Sequence, residues 1–493
     1  MLVPWRIVCG KNATEMDQSD GRMNESDGRL EIWKERVSDA LDSIRRAFAE
    51  FLTIPTSIII GFLLLAIGTY LLDRSGIAWL KPAREILREN VFANAEATSA
   101  LLGTIAGGII TVTSITISLL LLALQQSAAS MTAVVFDQFL RRWHNQVYFG
   151  FFVGLALYSL VTLATVSEPF NPVFGATCAF LLTVIALYLL ILLLYTTINQ
   201  MRPVEIIETI HDLTLAARES QLAFVRKTRR SSSYDGVVSA PVKAPRHGFM
   251  TRLDLEIIGS AIADAPGEVE IILLVSIGSY VAYEDTIAEV KARTRDEAVA
   301  VGKAVRRAAH IERQRDVDTD PAYGIEQLEM IAWTSISTSK SNPAPGLLTI
   351  LSLRDVLSRW VSEDEDEDRR EPPAPVVYTD DVFARLMEAF ETLAVVSSES
   401  MQHQNFTEVL RTFAVMFDRL PRPLQRRAED LILRILSALG DHILTAELNA
   451  ALSELTATLA AAERWETANA VQAAQDKLAL SVGKLNSRST RAG

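Results

Sequence analysis

Residues 101–124 read LLGTIAGGIITVTSITISLLLLAL and hold no Asp, Glu, Lys, Arg or His. A helix rises about 1.5 Å per residue and the hydrocarbon core is about 30 Å thick, so about 20 apolar residues cross a bilayer. Residues 54–72, 146–166 and 173–198 likewise hold no Asp, Glu, Lys, Arg or His. Four such stretches predict an integral membrane protein with four transmembrane helices. The rest of the chain carries the charge. Over 493 residues the mean hydropathy is +0.19 and the formal net charge is -12. An acidic balance gives no electrostatic reason to expect nucleic acid, because that binding is led by Lys and Arg on phosphates.

The second span differs chemically from the other three. Thr104, Gly107, Thr111, Ser114 and Ser118 follow one another at steps of three and four, and Gln125 lies a heptad further on. Small and polar groups therefore share one stripe of the helix. Such a stripe lets helix backbones approach closely, with hydroxyls bonding across the contact. The alternative is a water-filled path, which would need several copies of the helix around an axis. Close packing is the commoner use of a small-residue seam. None of the spans carries an ionisable residue between its named ends, and coupled transport usually needs such residues near the midplane. Coupled transport is therefore not expected, whereas passive conduction or simple anchoring is compatible with the pattern.

Orientation is read from the loops. The third loop, 167–172, has no Lys or Arg, while the second carries Arg141 and Arg142. Lys34, Arg36, Arg45 and Arg46 precede the first span, and Arg202, Arg218, Arg226, Lys227, Arg229 and Arg230 follow the fourth. The positive-inside rule then predicts cytoplasmic N and C termini in the cell inner (plasma) membrane. Arg74, Lys81, Arg84 and Arg88 in the first loop point the other way. The start of the chain has one positive charge, Arg6, and no long apolar run, so the first span is expected to act as its own insertion signal. Cys9 and Cys178 are too few and too far apart for a disulfide framework.

Residues 11–28 are polar, rich in Asp, Ser, Asn and Gly, and residues 1–29 are expected to form a disordered tail. From 30 to 53, Leu30, Trp33, Val37, Leu41, Ile44, Phe48 and Phe51 share one face of an amphipathic pre-membrane helix. It would either lie on the cytoplasmic leaflet or extend the first span. The four-span domain covers 54–198, a cytoplasmic α/β domain 199–362, an acidic and proline linker 363–375, and a helical module 376–493. Within the α/β domain a helix is expected over 203–230, a Ser/Gly/Pro linker over 231–245, a strand over 269–275, and helices over 286–313, 325–339 and 347–360. The module is expected to be helical over 380–399, 405–420, 424–439 and 443–485.

Two pieces of the α/β domain, starting at Gly248-Phe249-Met250 and Gly278-Ser279-Tyr280-Val281, each open on a Gly and reach an acidic residue six or seven positions on. They look like the small hybrid barrel of lipoyl- and biotin-type domains, but no Lys occupies a modifiable turn between them. A structural barrel is the expectation.

The chain resembles the bacterial predicted membrane proteins grouped as domain of unknown function 2254 (DUF2254). The matching residues are Leu102-Gly103-Thr104-Ile105-Ala106-Gly107 with Ile109-Ile110-Thr111-Val112-Thr113, then Asn145-Gln146-Val147. In the soluble part they are Gly248-Phe249-Met250 with Leu253-Asp254, Gly278-Ser279-Tyr280-Val281, and Tyr323-Gly324-Ile325-Glu326-Gln327-Leu328 followed by Ile331-Ala332. The resemblance covers most of residues 40–440. It implies a membrane bundle followed by a cytoplasmic α/β domain, with no established activity. Where members carry an Asn-Asp pair before a proline, this chain has Ser341-Asn342-Pro343.

Asp316-Val317-Asp318-Thr319-Asp320 imitates an EF-hand start, but Pro321 stands where the turn demands Gly and Gln327 where the bidentate carboxylate belongs. The six histidines, His144, His211, His247, His310, His403 and His442, show no metal-ligand spacing. The run Glu363 to Asp368 reads as a solvated boundary before a cation site, since like charges repel. No phosphate-binding loop, dinucleotide fingerprint or nucleophile elbow is present. The expectation is therefore a non-enzyme without catalytic, metal or cofactor residues: a channel-like or permeability-modulating homo-oligomer in the lipid bilayer, with a gating or sensing cytoplasmic domain. The competing expectation is a non-conducting anchor that presents a domain to a cytoplasmic protein partner. A membrane-embedded enzyme ranks third.

Overall fold

All four apolar stretches are helical in the computed structural model, which describes residues 52–75, 81–90, 94–130, 142–168, 170–234, 238–337, 342–364 and 373–481, together with Phe92 and Thr132. The expected tail, nearly all of the pre-membrane helix and the acidic run from 365 on lie outside the described residues. Helix α1 is Thr53–Arg74, α2 a short helix at Lys81–Asn90, α3 Ala95–Ser130, α4 Trp143–Ala164 and α5 Val173–Gln200. Of these, α1, α3, α4 and α5 are long and apolar enough to cross a membrane. The described residues form two compact units, one reaching Leu119 and resuming from Arg142 to Leu194, the other comprising Leu120 to Thr132 and the chain from Tyr195 onward.

In the membrane unit α1 packs against α4. Gly150 and Gly154 of α4 make that approach possible. A Cβ at Gly150 would lie 2.8 Å from the Cα of Pro55, and one at Gly154 would lie 2.4 Å from the Phe62 ring. Phe62 in turn meets Phe151 edge to face at 5.2 Å. This Gly-x-x-x-Gly pair is a small-residue seam of the kind that replaces the hydrophobic drive absent in lipid. At the far end of the pair, Tyr158 donates its hydroxyl to the Gly175 carbonyl at 3.0 Å and shares a 3.2 Å bond with Thr69. Asp73, in the last turn of α1 rather than in the loop, is 1 % exposed. It accepts from the Phe174 and Gly175 amides at 3.0 Å each, capping the otherwise orphaned N-terminus of α5.

The soluble unit opens with α6, Pro203–Arg226. The segment expected to be a linker contains strand β1, Val238–Lys243. Then follow β2 (Gly248–Leu253), α7 (Leu255–Ala263), β3 (Glu270–Leu273), β4 (Tyr280–Val281), β5 (Thr286–Ala292), α8 (Arg295–Ala308) and β6 (Ala309–Glu312). The expected helix over 286–313 is therefore two strands flanking a helix. In β5, Ile287, Ala288, Val290 and Ala292 are buried in a central strand, and the sheet overrides the Ala- and Glu-rich helical composition. Thr294 and Glu297 close a capping box that starts α8.

The strands do not close into the expected barrel. They form two open sheets, in order β1-β5-β3-β7 and β4-β2-β6, where β7 is Val376–Val377. The reason is pairing. β1 and β3 both bond antiparallel to β5, while β2 bonds to β4 and β6, so the two Gly-led pieces meet each other without joining the first sheet. β7 adds parallel to β3 after the long excursion through α9 (Pro321–Ser337) and α10 (Ala344–Asp364). Thus the two residues that follow the proline stretch, at the start of the expected helical module, are a strand of the sheet. Val242, Met250, Ile258, Ile271, Val290, Val301 and Tyr378 share one core beneath it.

Helices α11 (Val382–Glu399), α12 (His403–Met416), α13 (Arg422–Leu436), α14 (Ala446–Ala461) and α15 (Trp465–Ser481) follow. Phe390 and Phe413 meet edge to face at 5.7 Å in their core. Instead of one continuous helix from 443, the chain breaks between α14 and α15, where Glu463 adopts a φ of 62°.

Candidate functional site

The stripe on the second span is brought together as its spacing requires, and it faces outward. Thr104, Gly107, Thr111, Ser114, Ser118 and Gln125 are all exposed. The buried face of α3 consists of Leu102, Ile105, Ala106, Ile109, Thr116, Leu120 and Leu124. Residues two apart on a helix are about 200° apart, so the two faces are nearly opposite. No atom lies within 4 Å of a Cβ added at Gly103, Gly107 or Gly108. The seam that packs inside this chain is the one on α4, and the stripe on α3 remains uncovered by it. Its hydroxyls are satisfied locally: Thr104 donates to the Ala100 carbonyl at 2.7 Å, Thr111 to Gly107 at 2.8 Å and Ser118 to Ser114 at 2.9 Å.

A second constellation gathers the soluble motifs around Arg315, a residue outside every sequence motif. Its side chain is 9 % exposed. Nε donates to Asp320 at 2.6 Å and Nη1 to Glu326 at 2.5 Å. The guanidinium lies 4.9 Å from the Tyr323 ring centre and 5.8 Å from that of Phe249. Burial disfavours its charge, but the two carboxylates outweigh burial and hold the Arg315 pKa above its ordinary value. Gly278, with φ of 91°, leaves room for the pair: a Cβ there would lie 2.5 Å from Asp320. Asp320 also accepts from the Tyr323 amide at 3.1 Å, capping α9. The EF-hand imitation is thus an ion-paired helix start. A basic residue placed five and eleven positions before two acids is the signal that could have found it.

The next motif residues tie α9 to its neighbours. Gly324 abuts Thr214 of α6 so closely that a Cβ would lie 2.0 Å from its hydroxyl oxygen. Gln327 accepts a hydrogen bond from Thr132, which follows α3 by two residues. Asn145 and Gln146, 0 % and 3 % exposed, are buried at the start of α4. Elsewhere the fold joins His403 and His442, whose Nδ1 atoms are 2.7 Å apart. Their ring centres are 4.9 Å apart, close to the span of two imidazoles aimed head-on, which makes the contact an N–H···N hydrogen bond rather than a chelate. Among the described residues no group of three or more His, Cys, Asp or Glu side chains could hold a metal.

These motif positions, in the spans and around Arg315, fall within one family model. No curated protein and no solved structure matches the chain. The model described as predicted membrane protein (DUF2254) matches residues 49–405, more than half of the sequence, and the chain belongs to that family.

Proposed function

We propose that the protein is a channel-like or permeability-modulating homo-oligomer in which copies of α3 face one another through the stripe from Thr104 to Gln125. The carrying observation is that this stripe is small, polar and exposed among the described residues, on a helix whose other face is apolar and buried. Lipid gains little from such a surface, whereas a second small-residue helix can approach it closely. The same helix runs on to Ser130, and Thr132 just beyond it is held by Gln327 of α9. A change in the α/β domain would thereby be felt at the end of the stripe helix, which is the gating or sensing role. On this reading the membrane is the cell inner membrane, both termini are cytoplasmic, and the protein is not an enzyme.

A non-conducting anchor is the second reading. It is favoured by the local bonds of Thr104, Thr111 and Ser118, which leave the hydroxyls content without water. Cysteines at Thr111, Ser114 and Ser118 separate the two, because a thiol needs water contact to ionise and react. Labelling by a membrane-impermeant thiol reagent, together with single-channel current in bilayers, is expected. Unlabelled cysteines in a monomeric protein overturn the proposal, and unlabelled cysteines in an oligomer without current leave an anchor.

A further inference from the structure

Between α1 and α4, beside the start of α5, lies a cavity of about 150 Å³. Ala66, Ile67, Tyr70, Val161, Thr162 and Gly175 are among its walls, which are almost wholly apolar. A cavity of this size and character takes a benzene-sized apolar group in preference to water. Three threonines also line it; the hydroxyls of Thr69 and Thr165 are satisfied by the Ala66 and Thr162 carbonyls, and Thr162 is the exception. Thr162 is 5 % exposed and its hydroxyl has no hydrogen-bond partner, an arrangement that favours an occupant carrying an acceptor.

The rim has a different chemistry. Tyr70 meets Phe170 edge to face at 5.5 Å, and Arg74, one turn further along α1, donates to the Tyr70 hydroxyl at 3.3 Å. Aromatic rings and arginines at the ends of spans mark headgroup depth. Arg74 is exposed, and among the described residues no carboxylate pairs with it. Asp73 does not compete for it, because its oxygens accept from two α5 amides.

From inside outward the order is therefore apolar slot, hydroxyl donor, aromatic rim, cation. That order mirrors acyl chain, ester, glycerol and phosphate. We propose that this cavity binds one phospholipid with an anionic headgroup, its upper acyl carbons in the slot, an ester carbonyl on the Thr162 hydroxyl and the headgroup at Arg74. The site is independent of the α3 stripe.

Native mass spectrometry of the full chain in detergent, with equal amounts of phosphatidylglycerol and phosphatidylcholine, tests it. The wild type should retain one more phosphatidylglycerol than Val161→Trp, which fills the slot, and should prefer it to phosphatidylcholine by fivefold or more. Arg74→Gln should abolish the preference. Thr162→Val, which keeps the shape and removes the donor, should lower retention of both lipids severalfold and remains readable if the tryptophan variant fails to fold. Equal retention by wild type, Val161→Trp and Thr162→Val overturns the site, and equal retention of the two lipids by the wild type overturns the headgroup class.

Discussion

Arg315 shows how one side chain can hold a domain together. It joins the strand carrying Phe249 to the helix carrying Tyr323 and Glu326, with Asp320 buried to 2 % beneath it. Removing one member of a buried pair strands the other charge, which costs about 3–5 kcal/mol. Arg315→Met is therefore expected to lower the thermal midpoint of the full chain markedly in a fluorescence-detected unfolding assay, and adding Asp320→Asn should restore part of the loss. The histidine pair makes a second prediction at this scale. Burial lowers the His403 pKa from 6.5, so His403 binds fewer protons in the folded protein than in the unfolded chain. Stability should then fall as pH drops below about 6.5, and His403→Asn should flatten that dependence. A pH-independent unfolding midpoint between 7 and 5 in the wild type would contradict it.

At the scale of elements, two seams of small residues have opposite fates. Gly150 and Gly154 on α4 are filled by Pro55 and Phe62 of α1, whereas among the described residues nothing approaches a Cβ placed at Gly103, Gly107 or Gly108 of the second span. Gly154→Val overfills a packed contact, an error that costs about 1–3 kcal/mol or more. It is expected to yield an unstable, poorly extracted protein. Gly107→Val has open space around it, so it should leave the monomer's unfolding midpoint unchanged and act only on self-association, read as a shift in mass by light scattering. Equal destabilisation by the two would refute the distinction. Both seams were open to reading as Gly-x-x-x-Gly or its relatives. Which one turns inward depends on the partner helix, and Phe62 lies 92 residues from Gly154 in sequence.

For the whole molecule, the Lys and Arg distribution argues for reporter fusions after Met201 and within residues 73–100 landing on opposite sides, the former cytoplasmic. A periplasmic signal after Met201 would reverse the orientation. Limited proteolysis adds a second test. Strand β7 follows the proline stretch directly and lies in the sheet, with the Ile271 amide bonded to the Pro375 carbonyl at 2.9 Å. Cleavage is therefore expected before Pro373, in the acidic run, and not between Pro375 and Tyr378. Cuts in that second interval would show the strand pairing to be loose.

The four spans and most of the helices could be read from the residues alone, because length, hydropathy and periodicity are properties of contiguous chain. The polar stripe of α3 was legible for the same reason. Pairing partners were not. Val238–Lys243 looked like linker and Thr286–Ala292 like helix until each met the other as neighbouring strands, since a strand is stabilised by what lies across from it. The Gly-led pieces suggested a barrel, and only the separate pairing of β1 and β3 with β5 opened it into two sheets. Arg315 with its two carboxylates, His403 with His442, Asp73 on α5 and the slot beside Thr162 all rest on contacts between distant parts of the chain. Tertiary structure decided them because burial, pairing and cavity shape exist only once those parts have met.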